Sequence, residues 1–208
     1  LAETNNGEKM INNLDIIKDL VKFGSSDEFL HLQILKRKKE NPDLGSNSYV
    51  VKTFYVRSWE YLESKMPEII NLCDFNNARA CINLNKRSFE SMAFHTLKKV
   101  TDQIMNKDFR SVHKAYESVC GAYCKDSEKK WIIDIDWVDW PNKAEIGNLA
   151  LLVQELQAQT GKEPIVKYLP TKNGTHIITR PFNLSKFRKS YPEVDVHKDN
   201  PTILYMPS

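Results

Sequence analysis

No run of apolar residues in this chain approaches the roughly 20 needed to span a bilayer, so no membrane span is expected. The opening, LAETNNGEKM, lacks a basic stretch followed by an apolar one. No export signal is therefore expected, and the cytoplasm is the expected location. The chain does not begin with Met, as in a fragment or a processed product. Cysteine is sparse: Cys73, Cys81, Cys120 and Cys124. Cys120 and Cys124 have zinc-like spacing, but Cys73 and Cys81 are too far apart to supply the matching pair. Reduced, half-buried thiols are the expectation. Also missing are G-x-x-x-x-G-K-[ST], G-x-G-x-x-G and G-x-S-x-G. Those absences exclude a P-loop, a dinucleotide fingerprint and a hydrolase nucleophile elbow. The excess of one sign of charge is small as well: the formal net charge is +3, which permits a nucleic-acid partner only where the basic residues cluster.

What is present is an ordinary folding composition, 41% hydrophobic and 27% charged over 208 residues, enough for one core. Met10, Ile11, Leu14, Ile16, Ile17, Leu20, Val21 and Phe23 have helical spacing, and residues 1–25 read as an N-terminal helical arm. Residues 26–208 read as a single domain. FLHLQILKRKK and YVVKTFYV read as a strand hairpin across ENPDLGSNS. Trp59 to Cys73 is helix-like, and Pro67 is expected to split it into two pieces. NARACINLN is a strand candidate. Ser88 is placed to cap a helix reaching about Met105, with Phe89, Met92, Ala93, Leu97, Val100 and Ile104 facing inward. A shorter helix follows from Val112 to Cys120. Asn142 is placed to cap a helix that Gly161 stops. EPIVKYL and THIITRPF read as strands joined at an Asn-Gly turn, NLSKFRKSY as a short basic helix and TILYM as a last strand. The fold class expected is α+β, a mixed and mostly antiparallel sheet flanked by helices.

Three stretches carry chemistry. In KKWIIDIDWVDW, Asp134 and Asp136 interrupt a β-branched and aromatic strand. Residues two apart on a strand share a face, so the carboxylates project together. An unpaired buried carboxylate costs several kcal/mol, on the order of what only a counter-charge repays. A hard divalent cation, magnesium or manganese, supplies one. The bland alternative is an Asp facing solvent at a strand end. In LPTKNGTHIITRPF, the hydroxyls of Thr171 and Thr175, the Lys172 ammonium and the amides around Gly174 are placed to hold a phosphate, with His176 and Arg180 on the following strand. The bland alternative is routine hairpin chemistry. In EVDVHKDNPTILY, Asp195 or Asp199 offers a third carboxylate.

D-x-D on a strand, Gly-x-His at a turn into a strand, and an apolar-Asp before a last strand occur here in that order, over Trp131 to Tyr205. In this they resemble the archaeo-eukaryotic primase superfamily, which includes primases and primase-polymerases. The resemblance implies a primase-like catalytic core with an RRM-like element. It implies Asp134, Asp136 and Asp195 as metal ligands and catalytic acids, and His176 as a phosphate contact. Thr171 or Thr175 then stands in for the hydroxyl residue that often lies two before the His, where this chain has Gly174. The basic residue often found on the final strand is absent from TILYM.

The implied activity is metal-dependent nucleotidyl transfer on a DNA or RNA template, with a nucleoside triphosphate as substrate and a helicase or other replication proteins as partners. The same acids suit a metal-dependent nuclease, and a catalytically inactive accessory protein of the same fold remains a further reading. Candidate template tracks are LKRKK at 35–39, NKRSF at 85–89 and KFRKSY at 186–191, each equally readable as solvated surface. His31, His95 and His113 are scattered, and the tryptophans at 131, 137 and 140 read as packing.

Overall fold

The computed structural model describes residues 10–124, 126–140 and 142–208. The chain begins with β1 (Ile11–Asn12), α1 (Leu14–Leu20), β2 (Glu28–Arg37), β3 (Ser48–Val56), α2 (Trp59–Asn76) and β4 (Arg79–Ile82). Then come β5 (Arg87–Ser88), α3 (Phe89–Met105), a 3-10 turn (Val112–Lys114), α4 (Ala115–Ala122) and β6 (Trp131–Asp136). The last part is α5 (Lys143–Ala158), β7 (Val166–Pro170), β8 (Gly174–Thr179), α6 (Leu184–Ser190), β9 (Val196–His197) and β10 (Thr202–Met206).

The class is α+β, as expected. The expected single mixed sheet is instead two sheets, antiparallel at every pairing among the described residues. The first has the order β1-β10-β4-β2-β3, with β5 also on β2; the second has the order β7-β8-β6-β9. Thus the last strand of the chain sits in the first sheet, beside β1 and β4.

Strand alternation decides what each face meets. Leu30, Leu32 and Ile34 of β2 point into the main core with Ile17, Leu62, Met66 and Ile69 from α1 and α2. Ile132, Leu169 and Ile178 of the second sheet enter the same core. The intervening residues of β2 face the other way: Phe29 packs with Met92, Val119 and Cys120 under α3 and α4. His31, Gln33, Thr53 and Tyr55 all reach the Glu117 carboxylate of α4. The back of the second sheet is equally apolar: Ile133, Ile135 and Ile177 pack on Leu149, Val153 and Phe187 of α5 and α6.

Four local expectations change. The N-terminal helix starts only at Leu14, because Ile11 and Asn12 pair with Met206 and Tyr205. Asn13 then ties the segment down through donated hydrogen bonds to the carbonyls of Pro170 (3.0 Å) and Ile203 (2.9 Å). Residues 1–9 of the expected arm lie outside the described residues. Pro67 does not split α2, which is one helix with Pro67 inside it. Pro67 and Glu63, whose carbonyl loses its helical donor, are both on the solvent side, where water can replace that bond. Along α3, Phe89 and Met92 face the protein, but Ala93, Leu97 and Ile104 face solvent. α4, which is only 8 residues long, covers α3 on the Met92 side alone. Finally β1, β5 and β9 are too short, at 2 residues each, to leave a periodic signature.

Caps follow the sequence closely. Ser58, Ser88, Asn142 and Asn183 each accept a hydrogen bond from the first turn of their helix. Gly161 takes φ +73° just past α5, a conformation open to glycine without Cβ strain.

One buried ion pair joins the two halves of the chain. Arg87 is fully buried, donating to the carboxylate of Asp199 (2.8 and 3.2 Å) and to the carbonyl of Cys120 (3.0 Å). Asn85 donates to the same carboxylate at 3.0 Å. Removing one partner of such a pair strands a desolvated charge. Asp199→Ala is expected to cost about 3 kcal/mol in chemical denaturation. Arg87→Met, which removes the more deeply buried charge, is expected to cost less; the reverse order would contradict this account.

Candidate functional site

Asp134 and Asp136 occupy the face of β6 that carries Ile132, opposite Ile133 and Ile135. At Ile132 that face is covered by the first sheet. Beyond it the cover ends and the face opens into a cleft. The Asp134 side chain is 49% exposed. The strand is therefore not buried on both faces, as its composition suggested, and water already offsets much of the carboxylate's desolvation.

Two neighbouring strands bring partners to these acids. On one side β9 pairs Val196 with Ile133, which sets Asp195 opposite Asp134. The Asp134 N–H donates to the Asp195 carbonyl at 3.1 Å. On the other side β8 pairs His176 with Asp134 and Gly174 with Asp136. His176 Nε2 lies 3.5 Å from Asp134 Oδ1. Its Nδ1 lies 2.7 Å from the hydroxyl of Thr202, a buried residue of β10 in the first sheet. With the hydroxyl donating to Nδ1, the proton sits on Nε2 and faces the carboxylate. Burial pushes the imidazole below its ordinary titration range, and the Asp134 charge opposes that shift only in part.

Gly174 sets how closely these strands approach. A Cβ there would lie 1.8 Å from the Ile135 carbonyl oxygen and 2.9 Å from the Asp136 Cα. Its φ is not positive, so the Asn-Gly pair serves close approach here rather than a left-handed turn. The Asn173 carbonyl accepts from the Trp137 N–H (2.9 Å), and Thr171 N–H donates to the Gly174 carbonyl (3.1 Å). The hairpin is thereby fixed against the end of β6.

Two recesses meet at the aspartates. One, about 520 Å³, is lined by Asp134, Asp136, Asp139, Glu145, Glu193 and Asp195 among others. The other, about 840 Å³, opens between the sheets and takes Arg37, Lys39, Arg79, Lys172, His176 and His197 together with Asp134 and Asp136. The second recess also takes Glu40, whose carboxylate pairs with Arg79, so its cationic character comes mainly from Arg37, Lys39 and Lys172; both recesses share the same two aspartates.

The remaining candidates separate cleanly. Thr171, Lys172 and Gly174 line the basic recess. Thr175 does not: its buried hydroxyl donates to the Leu169 carbonyl at 3.1 Å, on the opposite face of β8. Arg180 lies beyond the far end of β8, roughly 13 Å along the strand from His176. There it donates to the Glu163 carbonyl at 3.0 Å and pairs with Glu128 at 2.6 Å. Of the two acids offered for the third position, Asp195 shares a recess with Asp134 and Asp136, while Asp199 is held by Arg87 and Asn85. Of the basic tracks, only the first reaches the cleft, through Arg37 and Lys39. In the second, Arg87 is buried and Lys86 pairs with Glu28 (3.0 Å). In the third, Lys186 bonds Gln159 (3.1 Å). Trp131 packs against Phe182 and Trp140 against Tyr191, as side chains of the second core.

Arg79, His197 and Thr202 were not legible as site residues. Arg79 and His197 reach the cleft, and buried Thr202 reaches His176 behind it, only through the pairing of strands distant in sequence.

Three carboxylates on one recess form an all-oxygen donor set suited to magnesium or manganese. Among the described residues, no three His, Cys, Asp or Glu side chains converge tightly enough to grip an ion as they stand. No helix among them is long and apolar enough to cross a membrane. No protein-family model, curated protein or solved structure matches the chain.

Two outcomes test this geometry. Gly174→Ala is expected to cost at least about 3 kcal/mol in denaturation, since backbone atoms of Ile135 and Asp136 would have to move; a cost within error of zero would refute the contact. His176 is expected to titrate by NMR below its ordinary 6.5, and lower still in Asp134→Asn. The sign for stability follows. Below pH 6.5 the unfolded imidazole takes a proton that the folded one resists, so this group's contribution falls on acidification through 6.5 and levels off below the folded pKa. An unshifted or raised His176 would contradict the burial argument.

Proposed function

We propose that the chain is a metal-dependent nucleotidyltransferase acting on nucleic acid, with a primase-like catalytic core. The observation that carries this reading is the pair of recesses, acidic and basic, sharing Asp134 and Asp136. Polyphosphate chemistry needs that arrangement: oxygen donors for a cation beside a cationic wall for phosphate oxygens. It suits a nucleoside triphosphate as substrate and a DNA or RNA template strand, in keeping with a role in replication and contact with other replication proteins.

In this reading Asp134, Asp136 and Asp195 hold magnesium or manganese. A bound cation there would lower the pKa of an attacking 3′-hydroxyl and offset charge on the leaving pyrophosphate. His176 donates from Nε2 to a phosphate oxygen, its ring plane fixed from behind by Thr202. Lys172 and the 171–174 turn border the same polyphosphate site from the hairpin side. Arg37 faces it from the first sheet, beside Arg79, which is paired with Glu40.

The test is incubation with manganese or magnesium, labelled ribo- or deoxynucleotides, and primed or unprimed template. Extended or new strands are expected. Asp134→Asn and Asp136→Asn are each expected to reduce incorporation by at least about a thousandfold while leaving the fold intact. Shortened substrate would assign a nuclease instead. A gel shift with no change in the strand would assign a non-enzymatic binding protein.

A further inference from the structure

The 17-residue helix α3 is mounted with its apolar ridge outward. Phe94, Leu97, Ile104 and Met105, together with Phe109 just beyond the helix, are each at least half exposed. Phe94, Leu97, Thr101 and Met105 follow helical spacing, so they form one stripe. The inward side is the more polar one: Thr96 Oγ1 and Gln103 Oε1 are buried there with no hydrogen-bond partner among the described residues. A helix laid down by its own core would be turned the other way. Side chains of these sizes expose roughly 500 Å² of apolar surface. That is at the upper end of what a monomer shows, about 300–600 Å², and more than half of the roughly 800 Å² each partner gives to a stable interface.

The flanks of the stripe identify the occupant. Lys98 and Asp102 sit one turn apart along the same edge. In an antiparallel two-fold pairing centred between Lys99 and Val100, Lys98 of each copy comes level with Thr101 of the other and about one residue from Asp102, within reach of its carboxylate, twice by symmetry. Phe94 then lies level with Met105, and Leu97 packs beside Thr101, about one residue out of register. Glu90, in the first turn, comes beside the basic residues Lys107 and Arg110 that follow the far end of the second helix. The helix dipoles also run opposed. Both the apolar and the charged pattern are thus complementary to themselves, which neither a lipid surface nor an unrelated acidic peptide requires.

We infer that α3 is a homodimer interface, on which a second copy of this chain seats its own α3 antiparallel across the Phe94–Met105 ridge. This inference does not depend on the proposed nucleotidyl transfer, since α3 lines neither recess.

Sedimentation velocity over a broad dilution series tests it. The wild-type chain is expected to move from dimer to monomer on dilution. The double variant Leu97→Glu with Met105→Glu is expected to be monomeric throughout, with an unchanged circular dichroism spectrum because both positions are exposed. Lys98→Asp is expected to weaken association by at least about tenfold, and Lys98→Asp combined with Asp102→Lys to restore it. A wild-type chain that stays monomeric at every concentration overturns the inference, including one that sediments with anionic vesicles instead. A dimer indifferent to both sets of variants overturns it equally.

Discussion

The pairing of β6 with β8 at Asp136 and Gly174 is the constraint on which the rest of the site depends. Without a Cβ, residue 174 lets one strand lie against the carbonyl of the other, and the hairpin turn of 171–174 comes level with the carboxylates. His176 follows two residues later on the same face and meets Asp134. On the other side of β6, β9 brings Asp195 by ordinary antiparallel register. The acids, the imidazole and the turn are therefore one feature of a three-strand ladder, rather than separately placed groups.

That ladder is held from both faces. Ile133, Ile135 and Ile177 anchor it to α5 and α6, while Ile132 and Ile178 anchor it to the first sheet. The Thr202 hydroxyl links the imidazole to the first sheet directly, so the wall carrying Arg37 and Arg79 and the Asp-bearing face of the second sheet are packed against each other at this point. Arg87 and Asn85 hold Asp199, which fixes the segment running from Asp195 into β10. The same ion pair takes Asp199 out of the reckoning as a metal ligand. Its carboxylate is committed to the fold.

How far the sequence could be read depended on range. Local signals held: the D-x-D strand, the hairpin across Asn173–Gly174, the caps at Ser88 and Asn142, and the stop at Gly161. So did the α+β class. What failed needed tertiary knowledge. The division into two sheets rests on the return of β10 to sit between β1 and β4, which no local pattern announces. Thr175 and Arg180 were grouped with His176 by sequence proximity, yet strand alternation sends one to the opposite face and strand length carries the other to the far end. For α3 the inward direction was right at Phe89 and Met92 and wrong at Ala93, Leu97 and Ile104, because a helical period gives a stripe without saying which neighbour it meets. Arg79 and Thr202 carry no motif at all.

The central claim is that the acidic and basic recesses act as one site for a cation and a polyphosphate. Paramagnetic broadening by manganese, read on amide and imidazole resonances in the presence of a nucleoside triphosphate, tests it most directly. The account predicts selective loss of signals from Asp134 to Asp136, from Asp195 and from the His176 ring, with nucleotide-dependent shifts along 171–174. Broadening centred elsewhere on the chain, or nucleotide shifts that avoid the 171–176 segment, would contradict it.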